Sequence, residues 1–88
     1  MSKEITTAMR AMQEACAIFD SASGLARAID VTPMMVSYLL RGERDVSLDI
    51  GIAIEKATHG KVRIERLCPK ELATIEYLGR RAALMAAA

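Results

Sequence analysis

The sequence predicts an all-α fold, a compact bundle of five or six helices. Three observations carry this reading. Ala, Leu and Met are abundant, β-branched runs are rare, and the only aromatics are Phe19, Tyr38 and Tyr77. Apolar residues recur at three- and four-residue steps. Capping residues, glycines and both prolines cut the chain into short helical segments. At 88 residues and 52% apolar content, the chain suits one compact domain and is too short for two.

The first helix is expected from about Lys3 to Asp20, with Ile5, Ala8, Met9, Met12, Cys16 and Phe19 as its apolar stripe. The Ser21-Ala-Ser-Gly stretch breaks that pattern, and Ser21 or Ser23 can cap a second helix running to about Ile29. Leu25, Ala26 and Ile29 face inward. Asp30 falls where the chain must turn, and Asp tolerates the left-handed conformation better than most residues.

Thr32-Pro33 is a strong helix start. Threonine supplies an N-cap oxygen, and proline is pre-set for the first helical position. The third helix runs to Leu40 or Arg41, buries Val36, Leu39 and Leu40, and ends at Gly42. Ser47 opens a fourth helix with Asp49 in its first turn. Leu48, Ile50, Ile52, Ala53, Ile54 and Ala57 make this helix largely buried, and Gly60 closes it. Residues 62–68 are a short strand or one helical turn, and the helical turn is favoured. Pro69 starts a last helix, about Lys70 to Ala86, with Leu72, Ile75, Leu78 or Gly79, Ala82 and Met85 as a loose stripe. Its small residues Gly79, Ala82, Ala83 and Ala86 make residues 70–88 a candidate for self-association. The alternative is a frayed tail.

Composition excludes several classes. No run is long enough for a transmembrane helix. Lys3, Glu4 and Arg10 interrupt any N-terminal apolar stretch, so no signal peptide is expected and the location is cytoplasmic. Cys16 and Cys68 lack a CxxC context and read as reduced core or boundary residues. His59 has no Cys or His partner at zinc spacing, so no metal is expected. No nucleophile–base arrangement, paired carboxylates or phosphate loop is present, so the chain does not read as an enzyme and needs no cofactor.

The net charge of +1 does not mark a nucleic-acid binder. The local pattern says more. Between Lys56 and Lys70 lie five basic residues (Lys56, Lys61, Arg63, Arg66, Lys70) and one acid, Glu65. Phosphates respond to a local field, although such a run is also what a solvated face looks like.

The segment from Gly24 to Arg41 meets the demands of a helix-turn-helix. Two short helices joined by a tight turn cross steeply and need a small residue at the crossing, which Ala26 supplies. Leu25, Ile29, Val31, Val36 and Leu39 fill it. Tyr38 is an anomaly there, an aromatic in a helix whose buried face is already filled.

This segment resembles the phage repressor and Cro class. Over about Gly24 to Pro69 it is similar, more particularly, to the Cro/YdaS-type regulators of phages and prophages. The resemblance rests on Leu25-Ala26-Arg27-Ala28, Val36-Ser37 and Leu40-Arg41-Gly42. It rests most on the run from Ala53 to Thr58 with Gly60, Val62, Leu67 and Pro69. It departs at Asp30, where glycine is common, and at Met34 and Met35, where many relatives are polar.

The resemblance implies sequence-specific binding of double-stranded operator DNA, with the helix at about 33–41 in the major groove. Candidate base-reading residues are Thr32, Pro33, Met34, Ser37, Tyr38 and Arg41. Arg41 can pair with guanine, Met34 and Pro33 can touch a thymine methyl, and the Tyr38 hydroxyl can instead hold a phosphate. Candidate phosphate contacts are Ser23, Gly24, Arg27, Arg44 and Lys61. Helix-turn-helix domains commonly act as dimers, so a homodimer on DNA is expected. The alternatives are an antitoxin-like autoregulator with a toxin partner, and an interaction module that grips a protein and binds no DNA.

Overall fold

In a computed structural model the chain is all-helical. The structure describes residues 5–87, with side chains through Ala86. Six α-helices follow in order: α1 Thr7–Ile18, α2 Ala22–Ala28, α3 Pro33–Leu40, α4 Leu48–Ala57, α5 Ile64–Leu67 and α6 Leu72–Ala87. A 3-10 turn, Pro69–Glu71, joins the last two.

Side-chain oxygens start four of the helices. Thr6, Ser21, Thr32 and Ser47 accept from the backbone N–H groups of Met9, Gly24, Met35 and Ile50. Each thereby satisfies one of the donors a helix start leaves unpaired. The first helix was expected from Lys3, which lies outside the described residues. The cap of the helix is Thr6, which the sequence pattern alone did not single out.

Helix ends follow a second rule. Asp20, Asp30, Gly42 and His59 take positive φ, at 65°, 59°, 71° and 55°, directly after the C-caps of α1 to α4. This lets the next N–H reach back to a helix carbonyl: Val31 to Ala26 (2.9 Å), Glu43 to Tyr38 (3.0 Å) and Gly60 to Glu55 (2.9 Å). The fourth helix therefore turns at His59 first, with Gly60 (φ 79°) continuing the turn.

The core is built from Ala11, Met12 and Ala15 of α1, Leu25 and Ala26 of α2, and Val36 and Leu39 of α3. Val46, Ile54, Val62, Ile64, Leu67 and Cys68 complete it. The buried face of α1 is thus set by Met9, Ala11, Met12 and Ala15. Cys16 and Phe19 lie at its border and Ile5 is exposed. Alanines at 11 and 15 let α2, α3 and α5 approach α1 closely, which large side chains would prevent.

The fourth helix is not largely buried as expected. Its inward face is Gly51, Ile54 and the C-cap Thr58, whereas Ile52 is exposed. Gly51 faces Cys68 and Ile64 so tightly that an added Cβ would sit 2.8 Å from the Cys68 Sγ. That contact, made by the smallest residue of the helix, sets which way α4 turns. Thr58 is buried, and its Oγ1 both donates to the Ile54 carbonyl (2.8 Å) and accepts from the Val62 N–H (3.2 Å). The α4–α5 turn is pinned through one hydroxyl. Glu55 adds a second pin, accepting the Ile64 N–H at 3.1 Å. It caps α5, which has no side-chain cap of its own.

Residues 62–68 form the favoured helical turn, with Val62, Ile64 and Leu67 buried. Cys68 is buried and Cys16 is half-buried, both as thiols. Burial pushes both thiols above the ordinary value, for Cys68 with help from the nearby Glu71 charge.

Candidate nucleic-acid interface

The helix pair α2–α3 carries most of the residues expected from sequence to form the site. Ala26, buried at the crossing, lets the two helices touch. The positive φ of Asp30 and the Val31-to-Ala26 hydrogen bond close the turn within four residues, 29–32. Gly24 is needed at the entry because a Cβ there would collide with the Phe19 carbonyl oxygen. Thr32 caps α3 at the Met35 N–H (3.2 Å), with Pro33 in the first turn.

At 3.6 residues per turn, Pro33, Met34, Ser37, Tyr38 and Arg41 fall on one side of α3. Val36 and Leu39 point the other way and are buried. Thr32, Pro33, Met34 and Arg41 are exposed, while Ser37 and Tyr38 are half-buried. Met34 is 64% exposed, so an apolar side chain stands in solvent at the leading end of this face. Met35, in contrast, packs against the core.

The candidate residues gather in two places. Ser23, Arg27 and Pro33 line a hollow between α2 and α3, together with Ala26, Asp30 and Val31. At the other end of α3, the guanidinium groups of Arg41 and Arg44 lie 5.5 Å and 5.6 Å from the centre of the Tyr38 ring. Both distances suit a cation–π contact. The Tyr38 anomaly thus has a physical role, since its ring holds two cations beside the exposed face of α3. Arg41 is also the C-cap residue of α3, where a positive charge complements the helix dipole.

One feature here was missed from sequence, and one expected cap bears on a candidate contact. Glu43 pairs with Arg41, 3.1 Å from its Oε1 to the arginine Nε, a contact that exists because Gly42 reverses the chain between them. The Gly24 N–H donates to Ser21 Oγ at 2.9 Å, so the α2 cap occupies that donor. Lys61 is exposed in the turn after α4 and belongs to neither cluster.

The basic run from Lys56 to Lys70 does not act as one field. Arg66 makes a two-pronged pair with Glu14 of α1, with its Nη1 2.8 Å from Oε1. Arg63 pairs with Glu65 (3.3 Å) and Lys70 with Asp45 (3.0 Å). Lys56, His59 and Arg63 remain together around a shallow depression with Glu55 and Gly60. Among the described residues, no group of His, Cys, Asp and Glu is arranged to hold a metal ion. No described helix is long and apolar enough to cross a membrane.

Comparison with known proteins identifies the family. A family model described as "Bacterial toxin YdaS" matches residues 12–84, from α1 through most of α6. The chain is 37% identical over 57 residues to the Escherichia coli K12 protein named "Putative transcriptional regulator YdaS". That match covers 65% of this chain and 58% of the relative's length. No solved structure matches. With most of the helical body inside the matched range, the chain belongs to the YdaS family.

Proposed function

We propose that the chain is a DNA-binding transcriptional regulator that places α3 in the major groove. The observation that carries this is the single exposed face of α3, with Pro33 and Met34 at one end and the Tyr38–Arg41–Arg44 cluster at the other. An α-helix with its side chains is about 10–12 Å across, which fits the roughly 12 Å width of that groove. Thr32, Pro33, Met34, Ser37, Tyr38 and Arg41 face the base edges. Ser23, Arg27 and Arg44 contact phosphate on either side. The name of the E. coli relative supports a regulatory role.

Selection of bound sequences from a random DNA pool, followed by a salt titration on the winner, tests the reading. One enriched site and a steep loss of affinity with salt are expected. Weak binding that ignores both sequence and salt overturns it and favours an interaction module for proteins. Arg41→Ala should relax specificity at one base pair, at a cost of about 1–3 kcal/mol if it reads guanine. An equal loss on every sequence would make Arg41 a phosphate contact.

The family description, a bacterial toxin, favours a second reading. Here the chain works within a toxin–antitoxin pair and its DNA binding regulates its own expression. Induced expression in a bacterial host separates the two. Growth arrest that disappears with Arg41→Ala ties the effect to DNA, and arrest that persists ties it to another surface.

A further inference from the structure

The two ends of the exposed face of α3 differ in chemistry. The far end is cationic, with the guanidinium groups of Arg41 and Arg44 against the Tyr38 ring. The leading end is apolar. Met34 stands 64% exposed there, next to the exposed Pro33, while the neighbouring Met35 packs against the core. Single exposed apolar residues are ordinary on a protein surface. This one sits on the face proposed to meet DNA, and the groups around it offer little polarity. Pro33 has no N–H. The Thr32 hydroxyl oxygen already accepts from the Met35 N–H at 3.2 Å. The thioether of Met34 is only a weak acceptor.

Base edges in the major groove are rows of donors and acceptors with one apolar exception, the C5-methyl group of thymine. An apolar side chain laid on a donor or acceptor strips its water and returns no hydrogen bond, which costs free energy. Laid on a methyl group, it buries apolar surface on both partners, which is favourable. Methionine suits such a contact, because its unbranched chain adapts and its sulfur is polarisable. Met34 and Arg41 are seven residues apart, about 10.5 Å along the helix, so both contacts fall within one binding site.

On the DNA-binding reading of α3, on which this rests, we infer that Met34 recognises the C5-methyl group of a pyrimidine, at the end of the site opposite the Arg41 contact. Recognition is of the methyl group and not of the base that bears it. Neither Pro33 nor Met34 has a strong hydrogen-bonding group to separate the O4 acceptor of thymine from the N4 donor of cytosine. Methylation of cytosine at C5 puts the same group in the same place in the groove. Binding therefore responds to that modification at this one position.

The test starts from a site that the full chain selects from random DNA. Each thymine is replaced singly by uracil, which removes the methyl group and leaves the hydrogen-bonding edge unchanged. At one position affinity should fall about fourfold, the worth of one buried methyl group. Met34→Ala should bind the original site more weakly and show no such fall. Alanine is the best helix former, so this variant keeps α3 intact. Met34→Leu keeps an apolar side chain and should keep the fall. At the same position, a cytosine–guanine pair should bind about fourfold better when the cytosine carries a C5-methyl group, again with the unaltered chain and Met34→Leu but not with Met34→Ala. A site with no thymine whose replacement matters, a fall undiminished in Met34→Ala, or a cytosine whose methylation changes nothing overturns the inference and leaves the DNA-binding reading standing. A chain that selects no site at all removes both, and the exposed methionine then belongs to a protein contact.

Discussion

The Oε1 of Glu43 lies 3.1 Å from the Nε of Arg41, and its Oε2 lies 3.4 Å from Nη2 of the same guanidinium. That edge of an arginine is among those able to pair with a guanine. Glu43 and a base therefore compete for one side of Arg41, while Tyr38 supports its face.

Glu43→Ala removes the competitor and an acid that would face phosphate. DNA affinity should rise, by up to about fivefold, because an exposed ion pair is worth at most ~1 kcal/mol. In an Arg41→Ala background the same change should gain much less. A double-mutant cycle on one operator, read by fluorescence anisotropy, checks this. Equal gains in both backgrounds would mean that Glu43 acts on the general field and not through Arg41.

Tyr38 offers a ring and a hydroxyl, and the geometry favours the ring. Tyr38→Phe keeps both guanidinium contacts and should bind DNA nearly as well as the unaltered chain. Tyr38→Ala should lose about 1–2 kcal/mol, the value of two exposed cation–π contacts. Anisotropy titrations of the pair decide between the roles. A large loss with Tyr38→Phe would show that the hydroxyl holds a phosphate.

Much of the fold was legible because its signals are local. Thr32-Pro33 starts α3 through a cap that reaches only three residues on, to the Met35 N–H, and the tolerance of Asp30 for positive φ was enough to place the turn. The contacts that escaped notice depend on distant partners or on the absence of a side chain. Glu14 meets Arg66 across 52 positions, which breaks up a basic run that looked continuous. In α4, counting isoleucines obscured the face that Gly51 defines by having no side chain. At the candidate interface, the side chains of α3 followed from helical spacing. The hold of Glu43 on Arg41 did not, because it depends on the reversal at Gly42.

Thr58 is the buried polar residue on which the α4–α5 turn depends. Thr58→Val keeps shape and volume but removes the acceptor for the Val62 N–H and the donor to the Ile54 carbonyl. The Val62 N–H is then left buried without this partner, at a cost of about 1–3 kcal/mol. Thr58→Ser retains the hydroxyl and loses one methyl group, so it should cost less. Urea unfolding of both variants gives the order. A smaller loss for Val than for Ser would mean that packing of the methyl, not the hydrogen bonds, secures the turn.

The Glu14–Arg66 pair fixes α5 to α1, and it makes stability depend on acid. Its hydrogen bond to Arg66 holds the Glu14 carboxyl below the ordinary value of 4.5. A carboxylate depressed in the folded state contributes stability that is fully present above its unfolded pKa. That contribution is lost as pH falls through the folded value. Arg66 is raised by the same contact, and a guanidinium stays charged across this range. Glu14→Gln should therefore melt at a lower temperature than the unaltered chain at pH 7. The gap should narrow as the pH is taken below 4.5, where the unaltered chain loses the same charge. Both side chains are solvent-exposed, so added salt should also reduce the gap at pH 7. Thermal melts followed by circular dichroism across this range test the link. A gap that stays constant with pH would show that Glu14 acts through packing of its methylenes rather than through its charge.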